Sequence, residues 1–239
     1  MEGRALDSGE SENRRKNTDI IGDYILPLTD AMQDSESEFQ KDFIGKLPYL
    51  ILKRAFDIVA SSILIVLLIC PMIIIGVIVR LTTRCSALYR QERLGIGGRL
   101  FTIIKFRSMR ADAEADGPRW CSGTDDTRIT SFGKQLRLYH IDELPQLLLV
   151  LRGTMTFVGP RPEREYFYIK FETDVPGFRK RLAVKPGITG LAQVNGGYDL
   201  SPREKLAYDV EYIKKRSLLL DFRILLKTVA VVLKKNGAR

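Results

Sequence analysis

Residues 58–79, IVASSILIVLLICPMIIIGVIV, form the most apolar stretch of the chain, with no charged side chain in 22 residues. As an α-helix this stretch would be about 33 Å long at ~1.5 Å per residue. The hydrocarbon core of a bilayer is ~30 Å thick. The length exceeds what a buried helix of a soluble protein needs, so the stretch predicts a membrane-embedded helix.

Pro71 lies inside this stretch, where it removes a backbone hydrogen bond, and a kink is therefore expected. Basic residues flank both ends, with Lys53 and Arg54 before the stretch and Arg80 and Arg84 after it. Because such residues concentrate on the cytoplasmic side of membranes, the two flanks either give no orientation or place both ends on that side. The pattern favours a re-entrant helix, with a straight span and an ordinary buried helix as the alternatives.

The charges divide the chain into two parts. Residues 1–48 contain six Lys/Arg and eleven Asp/Glu, and this polar segment is predicted to be a disordered acidic leader. The remainder contains 32 Lys/Arg and 18 Asp/Glu, a balance that favours anionic partners such as phosphates or lipid headgroups. No apolar segment precedes Leu47, so a signal peptide is not expected.

Cysteine and histidine usage argues against several kinds of site. Cys70, Cys85 and Cys121 are widely spaced and form no C-x-x-C pair, so neither a disulfide framework nor a zinc site is expected. His140 is the single histidine, which argues against multi-histidine metal chemistry and leaves a Ser-His-Asp hydrolase only one base. We interpret His140 as a polar loop residue rather than a proton shuttle.

The motif HIDELPQ, residues 140–146, places two adjacent carboxylates at the start of an apolar helix predicted for residues 144–151. The N-terminus of a helix keeps a carboxylate ionised and attracts phosphate. Asp142 could then attack phosphorus and form an acyl phosphate, and Glu143 could hold Mg²⁺. From this motif alone, helix capping is the favoured explanation of both carboxylates.

Four basic residues shift that interpretation towards a phosphate site. Arg137 precedes the motif, Lys105 and Arg107 belong to KFRSM, and Arg161 lies between two prolines. Guanidinium groups bind phosphate oxygens through two hydrogen bonds. The flanking prolines hold the arginine at position 161 rigidly, which suits a positioning role.

Local patterns outside the motif predict an α-rich α/β fold. Residues 87–91 and 100–106 are predicted strands around a glycine-rich turn, and residues 201–204 have capping-box spacing at the start of a helix. The final helix carries an apolar stripe with basic residues beside it, a pattern typical of a helix at the membrane surface. Packing of that helix on the domain core is the alternative.

Six blocks of sequence resemble, in the same order, the bacterial sugar transferases, a family of monotopic polyprenyl-phosphate phosphoglycosyl transferases. The blocks are KRAFD (53–57), YRQERLG (89–95), KFRSM (105–109), DELPQ (142–146), VGPRPE (158–163) and KPGITGLAQV (185–194). One block would be weak evidence, whereas six in order are highly specific. The resemblance runs from about Lys53 to Lys235.

The resemblance implies a re-entrant membrane helix at residues 49–84 and a compact catalytic domain with amphipathic interfacial helices at residues 85–239. The expected location is the bacterial inner membrane, with the catalytic domain facing the cytoplasm. The chain resembles the minimal form of the family, and the resemblance leaves a homo-oligomer open. Cys70 replaces the family's serine before Pro71, Tyr139-His140 replaces Thr-Ser beside the dyad, and Gly197 stands where some members have arginine.

The implied reaction transfers a sugar-1-phosphate from a UDP-sugar to undecaprenyl or another polyprenyl phosphate, the first membrane step of exopolysaccharide or glycan assembly. Asp142 would be the nucleophile, carrying a covalent phospho-aspartyl sugar after UMP is released. Glu143 would position Mg²⁺, with Asp142 as a second ligand. Arg137 and Arg161 match positions linked to substrate binding, and the basic residues of KFRSM are assigned to the same role.

Two other functions are compatible with parts of the pattern. A non-enzymatic, membrane-tethered protein could bind polyanions through the basic residues that follow residue 48. Aromatic residues are not interleaved with these basic ones, so nucleic acid is not expected as a partner. A carboxylate-pair glycosidase would need its two acids ~5 to 9.5 Å apart across a sugar. Adjacent acids at one helix start do not readily meet that requirement.

Overall fold

The structure is a computed structural model that describes residues 46–110, 112–113 and 126–233. Nearly all of the predicted acidic leader therefore lies outside the described residues. The chain divides into two units, Met1–Ile51 and Leu52–Arg239, and the second unit contains the hairpin, the sheets and the candidate site. The described residues form, in chain order, α1 (Leu47–Thr83), β1 (Leu88–Leu94), β2 (Leu100–Phe106), α2 (Ser131–Leu138), α3 (Leu147–Arg152), β3 (Thr156–Val158), α4 (Glu165–Asp174), β4 (Gly187–Thr189), α5 (Leu191–Val194), α6 (Pro202–Lys215) and α7 (Leu218–Leu233), with four short 3-10 helices between them.

The predicted membrane-embedded stretch lies in α1, a helix of 37 residues. By length and composition α1 could cross a bilayer, and only 6% of its most apolar 18-residue window is buried. A core helix would bury that window, so the alternative of an ordinary buried helix is wrong. Helical structure continues through Pro71, and the change of direction expected there stays a prediction.

The block KRAFD, in the first turns of α1, fastens this helix to the rest of the second unit. Lys53 forms an ion pair of 2.6 Å with Asp221 of α7. Arg54 donates two hydrogen bonds, each 2.7 Å long, to the carbonyl oxygens of Val150 and Leu151. The N-terminal part of α1 is therefore held by charged groups that pair with the body of the protein rather than with solvent.

Strands β1 and β2 form an antiparallel hairpin that pairs Leu88 with Phe106 and Leu94 with Leu100. The strand predicted for residues 100–106 is confirmed, whereas its partner runs from Leu88 to Leu94 because the ladder continues up to the turn. That turn contains Gly97 with φ of 63°, a left-handed conformation that glycine adopts without strain. The hairpin carries Lys105 to the 3-10 helix of the HIDELPQ motif.

Strands β3 and β4 are parallel and bring the VGPRPE and KPGITG blocks side by side. The N–H of Gly159 donates to the carbonyl of Thr189 over 2.8 Å, and the N–H of Gly187 donates to the carbonyl of Pro160 over 3.0 Å. A Cβ on Gly187 would lie 2.1 Å from the nitrogen of Gly159. The close backbone approach thus requires glycine, and it fixes the loop that carries Arg161.

The two C-terminal helices follow the sequence pattern closely. Ser201 and Glu204 form the predicted capping box at the start of α6. In α7, Asp221 and Ile224 are buried, and Leu225 of the predicted stripe packs against the core cluster around Ile224, whereas Phe222, Val229 and Leu233 of the stripe are exposed. The helix therefore packs on the core with one edge of the stripe and leaves the rest exposed. The described residues are mostly helical with two small sheets, as expected for an α-rich α/β protein.

Candidate active site

The HIDELPQ motif forms a 3-10 helix, Ile141–Gln146, that leads directly into α3. The α-helix expected at residues 144–151 begins only at Leu147, and Pro145 lies in the tighter 3-10 segment. His140 occupies the N-cap position in a left-handed conformation, with φ of 54°, and makes no capping hydrogen bond. Capping does not explain Asp142 and Glu143, which lie in the first turn, buried, at the wall of a cavity.

Glu143 is held by two cations. The Lys105 Nζ atom lies 2.5 Å from its Oε1, and Arg161 binds both carboxylate oxygens, at 2.5 and 3.2 Å. Burial by itself raises the pKa of Glu143, but Arg161 and Lys105 outweigh it and hold that pKa well below its usual value. Glu143 is therefore ionised throughout the physiological pH range, with both oxygens engaged.

Asp142 lies in a different environment although it is the next residue. Its side chain is 6% exposed and forms no hydrogen bond or ion pair with another described residue. Burial raises the pKa of Asp142 to about 6, and the charge of Glu143 adds to this effect, while Lys105, Arg137 and Arg161 oppose it. At pH 7 most of the molecules carry an ionised carboxylate at this position, unpaired within the described part of the chain.

Three of the four predicted phosphate-binding residues gather around the dyad. Besides Lys105 and Arg161, Arg137 approaches from the last turn of α2, where its Nε donates to Ser108 Oγ over 2.8 Å. Arg107 lines the same cavity but donates to the carbonyl of Ser86 over 3.0 Å and lies against the ring of Tyr89. It is a residue of the cavity rim rather than of the dyad.

The cavity has a volume of about 440 Å³, within the ~300 to 1,000 Å³ typical of small-molecule sites. Further basic residues line it that sequence reasoning did not select, namely Arg93, Arg110, Arg128, Arg164, Arg181 and Lys205. Another part of the wall, from β4, α5 and α7, is richer in apolar side chains, although Thr189, Gln193 and Thr228 also line it. The cavity therefore joins a cationic region around the dyad to an apolar region.

Arg181 shows how one of the missed residues supports the site. It is 2% exposed, and its Nε pairs with Asp209 Oδ2 over 2.6 Å. Its Nη2 donates to the backbone carbonyl of Arg161 over 2.9 Å, and its guanidinium carbon lies 4.7 Å from the centre of the Phe178 ring. Arg181 thus holds the loop from which Arg161 reaches Glu143. The sequence shows only a basic residue shortly before the KPGITG block, which does not predict this contact.

The dyad fits a magnesium ion only together with a phosphorylated substrate. Within residues 46–110, 112–113 and 126–233, no group of three or more His, Cys, Asp or Glu side chains is placed to hold a metal. Mg²⁺ in phosphate sites is commonly held by one or two carboxylates plus phosphate oxygens. Asp142 offers oxygens that no described residue binds, whereas Glu143 would have to exchange Lys105 or Arg161 for the ion.

The basic side chains around the buried carboxylate suit a phosphorylated ligand, and the long, largely exposed apolar helix suits a membrane. The chain belongs to the bacterial sugar transferase family, whose model matches residues 48–235. The family resemblance of the six sequence blocks is therefore confirmed.

The chain matches several curated relatives, over different shares of their length. It is 40% identical over 194 residues to the UDP-N-acetylgalactosamine-undecaprenyl-phosphate N-acetylgalactosaminephosphotransferase of Aeromonas hydrophila. The aligned residues make up 80% of this chain and 46% of that protein. It is 38% identical over 192 residues to the UDP-glucose:undecaprenyl-phosphate glucose-1-phosphate transferase of Caulobacter vibrioides, covering 78% and 71%. It is 40% identical over 192 residues to the uncharacterized sugar transferase EpsL of Bacillus subtilis, covering 79% and 90%. The chain thus spans less than half the length of the Aeromonas relative.

Proposed function

We propose that the protein transfers a sugar-1-phosphate from a UDP-sugar to a polyprenyl phosphate, such as undecaprenyl phosphate, in the assembly of an exopolysaccharide or related glycan. The observation that carries this proposal is the buried carboxylate of Asp142, which lines the cavity together with Lys105, Arg137 and Arg161 and which no described residue binds. Relatives with this activity in their names support the choice of donor and acceptor. Family membership favours the transferase over a non-enzymatic binder of polyanions.

In the first step, a carboxylate oxygen of Asp142 attacks the β-phosphorus of the UDP-sugar. The bond between that phosphorus and the bridging oxygen breaks, UMP leaves with the electron pair, and the sugar phosphate is bound covalently to the aspartate. The surrounding cations stabilise the negative charge on the phosphoryl oxygens during the attack. No described residue has to be displaced from Asp142 before one of its carboxylate oxygens attacks, and the other oxygen is the one that could bind Mg²⁺.

In the second step, a phosphate oxygen of the polyprenyl phosphate attacks the same phosphorus. The bond to Asp142 breaks, the aspartate leaves as a carboxylate, and a diphosphate now links the lipid to the sugar. The enzyme therefore returns to its starting state with no net gain or loss of protons on the aspartate. Glu143 does not compete as the nucleophile because both of its oxygens are bound by Lys105 and Arg161.

We include Mg²⁺ in the proposal, with Glu143 and Asp142 as its protein ligands alongside phosphate oxygens of the substrate. When bound, the ion would supply positive charge to the diphosphate. Lys105 and Arg161, which bind Glu143, lie beside the same place and would add their positive charges to the phosphoryl oxygens.

The proposal places residues 49–84 in the inner membrane as a re-entrant helix and residues 85–239 on its cytoplasmic side. Two contacts support this arrangement. Arg54 binds the carbonyl of Val150, and Leu144 packs against the cluster that contains Val79. Val150 and Leu144 are six residues apart in consecutive helical turns, so they lie ~9 to 12 Å from each other. Their contacts on α1, Arg54 and Val79, would be ~37 Å apart if the helix were straight. A bend at Pro71 would reconcile these distances.

The function is tested by incubating the full chain in detergent or nanodiscs with Mg²⁺ and a panel of UDP-glucose, UDP-galactose, UDP-N-acetylglucosamine and UDP-N-acetylgalactosamine. With undecaprenyl phosphate present, at least one donor should give continuous release of UMP and a matching amount of lipid-linked sugar. Release of free sugar instead would indicate a glycosidase. Release of neither product from any donor would contradict the proposal.

A further inference from the structure

We propose that the C-terminal turns of α7 form the subsite for the first isoprene units of the lipid acceptor, with Val231 and Val232 as its contact residues. This inference rests on the proposed function and adds the path by which the hydrocarbon chain leaves the site. The two faces of α7 differ: one is buried in the core and then lines the cavity, and the other is exposed.

One face of α7 changes its environment along the helix. In the first half, Asp221 and Ile224 on this face are buried, at 6% and 1% exposure. The following residues on the same face, Thr228, Val231 and Val232, line the cavity of the candidate active site. Their spacing of three and four residues places them on one side of the helix. The helix therefore leaves the core after Ile224 and becomes a wall of the cavity.

The other face of α7 is apolar and exposed. Its apolar residues are all more than half exposed, namely Leu219, Phe222, Leu226, Val229 and Leu233. Val232 and Val229 are separated by roughly 60° around the helix axis, so the two faces adjoin there. A continuous strip of apolar side chains thus runs from the inside of the cavity to the exposed face, where a membrane would supply the matching surface.

The cavity wall formed by α7 presents few groups that would need a polar partner. The hydroxyls of Thr228 and Thr189 bind one another over 2.7 Å, and Thr228 also donates to the carbonyl of Ile224 over 2.8 Å. With the hydroxyl engaged, the side chain of Thr228 adds to an apolar surface completed by Val231 and Val232. An apolar surface of this kind is suited to bind a hydrocarbon chain.

The ligand implied by the whole cavity is an amphiphile with a phosphate at one end. Lys105, Arg137 and Arg161 around Asp142 match the phosphate, and the strip along α7 matches the hydrocarbon attached to it. A nucleoside or a sugar would need polar partners at its far end and would not need an apolar path to the exterior. The acceptor therefore fits the strip better than the donor does.

Measuring the two steps of the reaction separately shows whether this wall binds the acceptor or the donor. The test variant is Val231→Thr combined with Val232→Thr, which keeps the side-chain volume and replaces a methyl group by a hydroxyl at each position. The control is Val210→Thr, the same change at a half-buried position of α6 outside the cavity lining. Thermal melts and flotation with liposomes of anionic phospholipid verify that all variants remain folded and membrane-bound.

With the best UDP-sugar of the panel and no acceptor, the double variant should release UMP in the same initial burst as the wild type and the control. With undecaprenyl phosphate added, its KM for the acceptor should rise about tenfold, because apolar contacts are lost. An unchanged acceptor KM in a folded double variant would overturn the inference, as would a weakened burst, which would assign the wall to the donor. Absence of any burst from the wild type would instead contradict the proposed function.

Discussion

Arg161 binds Glu143 through both of its terminal nitrogens, at 2.5 and 3.2 Å from the carboxylate oxygens. Lys105 adds a second cation to the same carboxylate. The preceding residue, Asp142, has no such partner among the described residues, although the same cations lie near enough to affect its pKa. We therefore propose different tasks for the two adjacent carboxylates, with Glu143 as a fixed anion that orders the cations and Asp142 as the nucleophile.

The substitution Glu143→Gln tests the first of these tasks. It removes the charge that orders Lys105 and Arg161, so the cations should no longer be aligned on the phosphoryl group. Loss of one preorganised electrostatic element typically costs about 10²- to 10³-fold in rate. We expect a fall of that order in UMP release, measured at saturating Mg²⁺.

The matched control for this variant is Glu211→Gln, which removes an exposed carboxylate paired with Lys215 on the surface of α6. It should retain the wild-type rate of UMP release. A Glu143→Gln protein that is folded and as active as this control would show that the ion pairs with Arg161 and Lys105 do not serve the reaction.

The pH dependence of the first step should report the ionisation of Asp142. Burial raises its pKa to about 6, and only the ionised form attacks. The kcat/KM for the UDP-sugar should therefore be constant at neutral pH and fall about tenfold per pH unit below the pKa of the free enzyme. A profile that stays flat well below pH 6 would exclude a nucleophile in this environment.

Removal of a nearby cation should shift the acid side of the pH profile of kcat/KM in a defined direction. Arg137 lowers the pKa of Asp142, so Arg137→Gln should shift the limb of the kcat/KM profile to higher pH. Arg203→Gln, at an exposed position at the start of α6, should leave the limb where it is. A shift to lower pH in the Arg137 variant would contradict the assignment of the limb to Asp142.

Sequence alone predicted a good part of the fold, where the signals are local. The run at residues 58–79 identifies α1 because no soluble core needs so many apolar residues in succession. Residues 100–106 show the composition and flanking turn of a strand, and Ser201 with Glu204 carries a capping box whose partners are three residues apart. In each of these the information lies within a few neighbouring residues.

The candidate site was predicted less completely because its geometry depends on distant contacts. Helix capping explained HIDELPQ from its sequence, yet His140 has a left-handed backbone without a capping hydrogen bond and both carboxylates line the cavity. The pairing of Lys105 with Glu143 depends on the hairpin meeting the 3-10 helix 38 residues away. Arg181 acts through the backbone of Arg161, a contact with no sequence signature. Such contacts follow from packing rather than from any local pattern.

The buried carboxylate of Asp142 should cost the protein stability, and Asp142→Asn should recover it. The pKa of Asp142 is raised on folding, so the folded state binds the proton more tightly than the unfolded state does. The ionised carboxylate therefore lowers the free energy of unfolding at pH values above the raised pKa. This loss of stability disappears below the pKa that Asp142 has in the unfolded chain, which is about 4. We expect the variant to melt about 5 °C higher than the wild type at pH 8 and at nearly the same temperature at pH 4.

Thermal melts of both proteins at the two pH values provide the measurement. Wild type and variant should diverge as the pH rises from 4 to 8. Equal melting temperatures at pH 8 would mean that the carboxylate is stabilised by a partner, and it would then be a poor candidate for the nucleophile.

The proposed re-entrant path of α1 can be tested by labelling both ends of its apolar run. In a background with Cys70→Ser and Cys121→Ser, a cysteine introduced by Pro48→Cys and the native Cys85 flank the apolar run. Both should react with a membrane-impermeant maleimide from the cytoplasmic side only, in inverted vesicles but not in intact spheroplasts. Labelling of the two positions from opposite sides would establish a straight span.

The most direct measurement is mass spectrometry of the full chain after mixing with Mg²⁺ and its UDP-sugar in the absence of acceptor. The tryptic peptide of residues 138–152 should gain the mass of one sugar phosphate on Asp142, in an amount equal to the UMP released. Addition of undecaprenyl phosphate should remove the adduct, and Asp142→Asn should form none. Release of UMP without an adduct, or with an adduct on another residue, would contradict the role of Asp142 as the nucleophile.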